Sequence, residues 1–197
     1  MNNALIRGFA WLCTHFFRSV KVYGTENLPE TGGVILCGNH VSIWDVFTLY
    51  AHVRRPMSFM AKAELFKIPV VSQVISKCGA FPVQRGTSDL GAIRTALNVL
   101  KTQKMLTIFQ TGHRNSSEAK NGAVYLALKA KTPILPFSID GNFRLFTRTT
   151  VRFGKMISLE EYYGTKLNAD ILDKVSGEVW ETICRMVNER EESNLHS

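Results

Sequence analysis

Short apolar runs alternate with stretches of helical periodicity along most of the chain. Val34 to Cys37, Met57 to Ala61, Ala80 to Val83, Met105 to Phe109 and Ile134 to Ile139 are short and mostly apolar, the length and character of buried strands. Between them, the segments Val46 to Val53, Val70 to Ser76, Leu90 to Lys101 and Ala123 to Lys131 predict helices. In the third of these, Leu90, Ile93, Leu97 and Leu100 fall at three- and four-residue intervals, and Ser88 or Asp89 is placed to cap it. A last helix is expected over Asn168 to Glu192, carrying Ile171, Leu172, Val175, Val179, Ile183 and Val187; its charged end, Arg185 to Glu192, is expected to fray. Strands and helices in alternation predict an α/β fold with a mixed, largely parallel sheet flanked by helices. Pro133 ends a helix, and Pro136 predicts that the strand holding it is an edge or irregular strand. With no linker, repeat or low-complexity tract, residues 21–197 read as one α/β domain, preceded by an appendage at residues 1–20.

That appendage has a pattern of its own. Leu5, Ile6, Phe9, Leu12, Cys13, Phe16 and Phe17 recur at roughly helical spacing beside Trp11, with Arg7, Arg18 and Lys21 at the two ends. An amphipathic helix of this composition can lie in a bilayer interface, its aromatic side chains among acyl chains and its cations on anionic headgroups. An ordinary core-packing helix with a basic rim has the same pattern.

Composition narrows the function classes. The 197 residues include 24 Lys and Arg against 16 Asp and Glu, a net charge of +8, with 45% hydrophobic residues. Such a chain has ample material for a core, and its charge excess points to phosphate-bearing partners: nucleic acid, an anionic bilayer or an acidic carrier protein. No helix-turn-helix, zinc-finger or aromatic–basic signature supports the first. No uncharged run reaches the length of a membrane-spanning helix. Gly8 to Phe17 is bounded by Arg7 and Arg18 and lacks a small-residue cleavage site, so a secretory signal is not expected. Cys13, Cys37, Cys78 and Cys184 are widely spread, which fits a reduced, intracellular setting.

The sharpest chemical feature is Gly38-Asn39-His40-Val41-Ser42-Ile43-Trp44-Asp45, leaving an apolar strand and entering a helix, where sheet-end sites are commonly built. On one continuous helix His40 and Asp45 would point about 140° apart. With His40 in the turn and Asp45 in the first helical turn, the carboxylate can fold back on the imidazole and make it a general base. A structural histidine followed by a helix-start acid fits the same residues. No GxSxG elbow accompanies the pair, and Cys37 lies in an apolar strand unsuited to a reactive thiol. A base without its own nucleophile suits a hydroxyl carried in by the substrate. A metal site on Cys37 and His40 would need two further ligands that the spacing does not supply, so neither metal nor cofactor is expected.

Two arginines stand just beyond strands: Arg85 after Gly79-Ala80-Phe81-Pro82-Val83-Gln84, and Arg114 after Phe109-Gln110-Thr111-Gly112-His113. Each alone reads as a solvated loop residue, but together they suggest an oxyanion site that grips phosphate bidentately. Lys62, ending the Met57 to Ala61 strand, is a candidate third cation, or a surface lysine.

Taken together, Asn39, His40 and Asp45 of an NHxxxxD motif, Gly79, Phe81 and Arg85 of a second, Phe109, Gly112 and Arg114 of a third, and Pro133 and Pro136 of a fourth make this chain resemble the glycerolipid acyltransferase family, the 1-acylglycerol-3-phosphate acyltransferases. The resemblance runs from about Val34 to Ile139. It implies acyl transfer from a thioester, on coenzyme A or acyl-carrier protein, to the sn-2 hydroxyl of lysophosphatidate, with His40 as base and Asp45 orienting it. Arg85, Arg114 and Lys62, with Thr111 and Gly112, would bind substrate. The family's third motif is FPEGTRS; here Gln110 replaces proline, Thr111 glutamate and His113 threonine, which leaves the acceptor open between lysophosphatidate, another lysophospholipid and glycerol 3-phosphate. A catalytically inactive lipid-binding module is the other alternative. Lipid substrates further imply a peripheral or monotopic protein at the cytoplasmic face of an anionic membrane, with residues 1–20 lying on its surface.

Overall fold

The computed structural model describes residues 7, 8, 10–12, 19–40, 42, 44–84, 89–110, 117–141 and 148–195. Seven strands form one sheet: β1 (Ser19–Tyr23), β2 (Val34–Asn39), β3 (Met57–Lys62), β4 (Ala80–Val83), β5 (Met105–Gln110), β6 (Ile134–Gly141) and β7 (Arg148–Phe153), in the order β1-β7-β6-β2-β5-β3-β4. The helices are α1 (Trp44–His52), α2 (Pro69–Lys77), α3 (Leu90–Lys101), α4 (Ser117–Ala130) and α5 (Ala169–Leu195). The block β6-β2-β5-β3-β4 is wholly parallel, whereas β7 runs antiparallel to β6 and carries β1 parallel to itself. The expected mixed, largely parallel α/β sheet is therefore the fold.

Parallel strands need crossovers, and right-handed ones fix where each helix lies. The steps β2-α1-β3 and β3-α2-β4 travel towards the β4 edge, so α1 and α2 share one face. The steps β4-α3-β5 and β5-α4-β6 travel back, so α3 and α4 cover the other. Side chains along β2 divide accordingly: Val34 and Leu36 join a core with Leu49 and Tyr50 of α1, while Ile35 and Cys37 join one with Ala96, Ala127 and Val179 of α3, α4 and α5. Burial on both faces is why the central strands read as continuous apolar runs. Ala10, in a short helical stretch, is buried in the first core, and the Arg7 guanidinium donates to the Val53 carbonyl. The rest of the expected amphipathic helix, including Leu5, Ile6, Phe9, Phe16 and Phe17, lies outside the described residues.

Two expectations need revising. Pro136 sits on β6, which is flanked on both sides, by β7 and β2, and so is not an edge strand. A residue's N–H and C=O point to the same side of a strand, and the Pro136 carbonyl accepts from Gly154 N–H at 2.8 Å, on the β7 side. The β6–β7 register begins at Phe137 opposite Phe153 and antiparallel pairing resumes at Ile134 opposite Ile157, so Pro136 lies in an irregular interval where residues 135–136 face 154–156, in keeping with the irregular-strand alternative. Strands β1 and β7 were not expected. Neither has an apolar run: β1 alternates half-buried valines with exposed Ser19, Lys21 and Tyr23, and β7 buries Thr149 and Thr150 between two arginines.

Candidate active site

The β2–α1 connection folds back on itself. His40 follows the last residue of β2, Asp45 is the second residue of α1, and His40 Nδ1 lies 2.9 Å from Asp45 Oδ2. That same oxygen accepts the Ser42 backbone N–H at 2.9 Å, while Ser42 Oγ accepts from Trp44 N–H at 3.3 Å. One half of a capping box is present, the carboxylate three positions on taking the Ser42 amide, while the Asp45 amide donates to the Ser42 carbonyl at 3.0 Å. The helix-start acid and the histidine partner are thus one carboxylate serving both ends. An ionised carboxylate only accepts, so the imidazole donates from Nδ1 and keeps its lone pair on Nε2. The Asp45 side chain is 0% exposed and that of His40 31%, so the pair is anchored inside and open outside.

Neighbouring strands hold the imidazole from beneath. Gly38 and His40 point to the same face as Leu36, and so does Phe109 of β5, whose ring centroid lies 4.4 Å from that of His40. Phe109 meets Phe137 of β6 edge to face at 5.8 Å, and Phe137 tilts against Phe153 of β7 at 6.4 Å. Gly38 makes this ladder possible: a Cβ there would stand 2.5 Å from both the Phe137 ring and the Phe137 carbonyl oxygen. Asn39 continues the β2–β6 pairing where the backbone register stops, at Gly38 opposite Phe137. Its amide nitrogen donates to the Ile139 carbonyl and its oxygen accepts Ile139 N–H, both at 2.7 Å. The residue before the histidine is therefore tied to the sheet at two points. Motif and face periodicity carried a signal for Phe109 and Asn39, but no role for either could be read from spacing.

Of the other expected site residues, Lys62 is exposed at the C-terminal end of β3, on the sheet edge from which His40 also emerges. Arg85, Thr111, Gly112 and Arg114 lie outside the described residues, directly after β4 and β5 in sequence. Gln110, in the place of the family's proline, is buried and accepts from Cys37 Sγ at 3.6 Å. Burial pushes the Cys37 thiol up to about 12, so this cysteine is a protonated core residue and no nucleophile. Asp89 caps α3 as expected, accepting Ala92 N–H with one oxygen and Gln84 N–H with the other, both at 2.9 Å. These amides hold its carboxyl below the usual range. Among the described residues no group of three His, Cys, Asp or Glu side chains could hold a metal.

Beside the pair, under α1 and α2, is an apolar cavity of about 290 Å³ lined by Val46 and Phe47 of α1, Phe59 and Ala61 of β3, and Val71 and Ile75 of α2. Phe47 joins it to the histidine loop through a tilted contact with Trp44, ring centroids 5.8 Å apart.

A histidine–aspartate pair open to one side, buried on the other and flanked by an apolar cavity stands where parallel strands end. The family model described as Acyltransferase matches residues 19–140, from β1 into β6 and through this whole site. The chain belongs to the acyltransferase family. The chain is 31% identical over 165 residues to the 1-acyl-sn-glycerol-3-phosphate acyltransferase of Streptococcus pneumoniae R6, a match covering 80% of this chain and 62% of that protein. It is 35% identical over 125 residues to the enzyme of the same name from Bacillus subtilis 168, covering 62% of this chain and 63% of the relative. The matches therefore span about three-fifths of these relatives' lengths. In fold, the chain is similar to the crystal structure of the 1-acyl-sn-glycerophosphate acyltransferase PlsC from Thermotoga maritima, with a TM-score of 0.71 at 24% identity over 94% of this chain and 78% of that one.

Proposed function

We propose that this acyltransferase moves a fatty acyl group from a thioester, acyl-coenzyme A or acyl-carrier protein, to the sn-2 hydroxyl of 1-acylglycerol 3-phosphate, giving phosphatidate. The observation that carries the reading is the His40–Asp45 contact of 2.9 Å, with Nε2 left as the free basic nitrogen. His40 Nε2 takes the hydroxyl proton as the alkoxide oxygen attacks the thioester carbonyl. The tetrahedral oxyanion then collapses, the carbon–sulfur bond breaks, and the departing thiolate takes the proton back from the imidazolium. Asp45 fixes the tautomer and offsets the imidazolium charge while it lasts. The substrate brings its own nucleophile, so no acyl-enzyme forms; the buried, protonated Cys37 supports this.

Arg85, Arg114 and Lys62 hold the acceptor phosphate, and Thr111 and Gly112 take part in binding the substrate. Much of the acceleration is then positioning of two bound reactants. The apolar cavity next to Phe47 suits an acyl chain lying close to the base. A lipid acceptor, a lipid product and a net charge of +8 support work at the cytoplasmic face of an anionic membrane, as a peripheral or monotopic protein; the surface segment expected over residues 1–20 is cut back to the residues before β1, which begins at Ser19.

The test is turnover by purified protein given lysophosphatidate with acyl-coenzyme A and acyl-carrier protein in separate reactions, detecting phosphatidate directly. Phosphatidate with either donor supports the reading and names the donor. Folded protein that makes none, yet acylates glycerol 3-phosphate or another lysophospholipid, would move the acceptor to one of those.

A further inference from the structure

Helix α2 is unusual in its surroundings. Its nine residues include Val70, Val71, Val74 and Ile75, yet none of the nine is buried, and its inner side faces the apolar cavity. A helix this short, rich in β-branched residues and with no side-chain cap, is not stable by its own propensity. At the open rim of that cavity Val70, 75% exposed, and Val74, exposed one turn further on, line it and also face solvent, with Ile68 49% exposed beside them. The exposure is one-sided. Of the nine exposed large apolar side chains among the described residues, Trp11, Leu12, Trp44, Ile68, Val70 and Val74 belong to the layer of α1, α2 and the Ala10 stretch. The opposite layer of α3, α4 and α5 contributes only Leu90. Exposed cations frame the α2 patch: Lys62 and Lys67 before the helix and Lys77 at its last residue, against one acid, Glu64.

We infer that the outer face of α2, from Ile68 to Lys77, is a bilayer-docking surface for anionic phospholipid, and that it sets the mouth of the apolar cavity against the acyl-chain region. The choice of a bilayer rests on the lipid-acceptor reading above. Apolar side chains ringed by lysines fit a headgroup layer, where the chains enter the hydrocarbon boundary and the ammonium groups reach phosphates. A second copy of this chain fits worse, because a two-fold contact on this face would bring its lysines together. An acidic protein would satisfy the lysines but leave Ile68, Val70 and Val74 without matching apolar surface. Trp44, exposed between the histidine loop and the cavity, lies on the same layer, so docking this face brings the site towards the lipid.

The test is co-sedimentation of the full chain with vesicles of phosphatidylglycerol and phosphatidylcholine in equal parts, without acyl donor. Ile68 occupies the α2 N-cap in extended conformation and has no side-chain cap bond, so Ile68→Asp supplies a helix cap while placing charge on the patch. Combined with Val70→Asp it should hold or raise the thermal midpoint and weaken vesicle binding at least about tenfold. The matched control is Leu90→Asp, 64% exposed in the first turn of α3 on the opposite layer, which should bind as the parent does. Unchanged binding of the double variant, equal loss in Leu90→Asp, or a dimer that the double variant dissolves in the absence of lipid would each overturn the surface. Vesicle binding is scored separately from phosphatidate formation. A protein that docks through α2 but makes no phosphatidate refutes the proposed reaction alone; one that makes it while docking elsewhere refutes the surface alone.

Discussion

Replacing Asp45 with asparagine separates what the carboxylate does by shape from what it does by charge. The side chain is wholly buried, and one oxygen takes two N–H donors at 2.9 Å, from Ser42 and His40. Asparagine is isosteric, and Ser42 N–H belongs to the backbone and cannot turn away. The amide oxygen therefore takes the position of Oδ2, because an NH₂ there would face a donor. His40 keeps its tautomer and its place, and the charge opposite the nascent imidazolium is lost. Hydrogen bonds to a charged partner contribute about 1.5–3 kcal/mol against about 0.5–1.5 for neutral ones. A unit charge about 4 Å away at a partly exposed site adds at most about 4 kcal/mol at an effective dielectric of 20. Transition-state stabilisation lost in Asp45→Asn should then lie between about 1 and 4 kcal/mol, a fall of about 5- to 1,000-fold in kcat/KM. A loss near 10⁴ would mean that the amide has flipped and forced the other tautomer, by analogy with the serine-protease triad. The assay is steady-state phosphatidate formation, with thermal unfolding to establish that the variant is folded. Activity within about twofold of the parent would refute the reasoning, since no imidazolium would then need the carboxylate.

Other outcomes follow from the same contacts. Gly38→Ala drives a methyl to 2.5 Å from the Phe137 carbonyl, which cannot move aside; it should cost about 1–3 kcal/mol in denaturant unfolding and reduce activity further by tilting the Phe137–Phe109 support under His40. Arg55→Met removes bonds to the carbonyls of Pro29, Thr31, Gly32 and Gln103, 2.6 to 3.3 Å long, which tie two turns at the N-terminal edge of the sheet. It should lower stability by about 1–2 kcal/mol, limited by the site's access to solvent, with activity below the melting range unchanged. The Cys37 thiol, raised by burial from 9.0 to about 12, contributes stability that is fully present below pH 9 and lost as pH rises towards 12. Cys37→Ala should flatten the alkaline limb of the stability–pH curve, and native alkylation should spare Cys37 and reach the half-buried Cys184.

Most of the architecture was legible because the central strands are buried on both faces. Ala80–Val83 and Leu90–Lys101 were bounded to the residue, since Gly79 and Asp89 mark them by turn and cap chemistry. β1 and β7 escaped because flanking strands need only half-apolar faces, and Thr149 and Thr150 hide that face behind polar side chains. Of the two readings of Pro136, the edge strand fails and the irregular one fits, because the β6–β7 pairing is interrupted there and the missing N–H would face that interval. At the site, the His40–Asp45 pair could be read from the turn-to-helix position of its two members. The Phe109 and Asn39 supports could not, because they depend on which strands become neighbours: β5 and β6 flank β2 only after four crossovers have been made.

The central claim is that His40 is the general base for direct attack by the acceptor hydroxyl. The measurement that bears on it most directly is the rate of phosphatidate formation by His40→Ala, at saturating lysophosphatidate and thioester, beside the parent protein. The account predicts a fall of at least about a hundredfold with an unchanged thermal midpoint. A folded His40→Ala protein that turns over at the parent rate would contradict it.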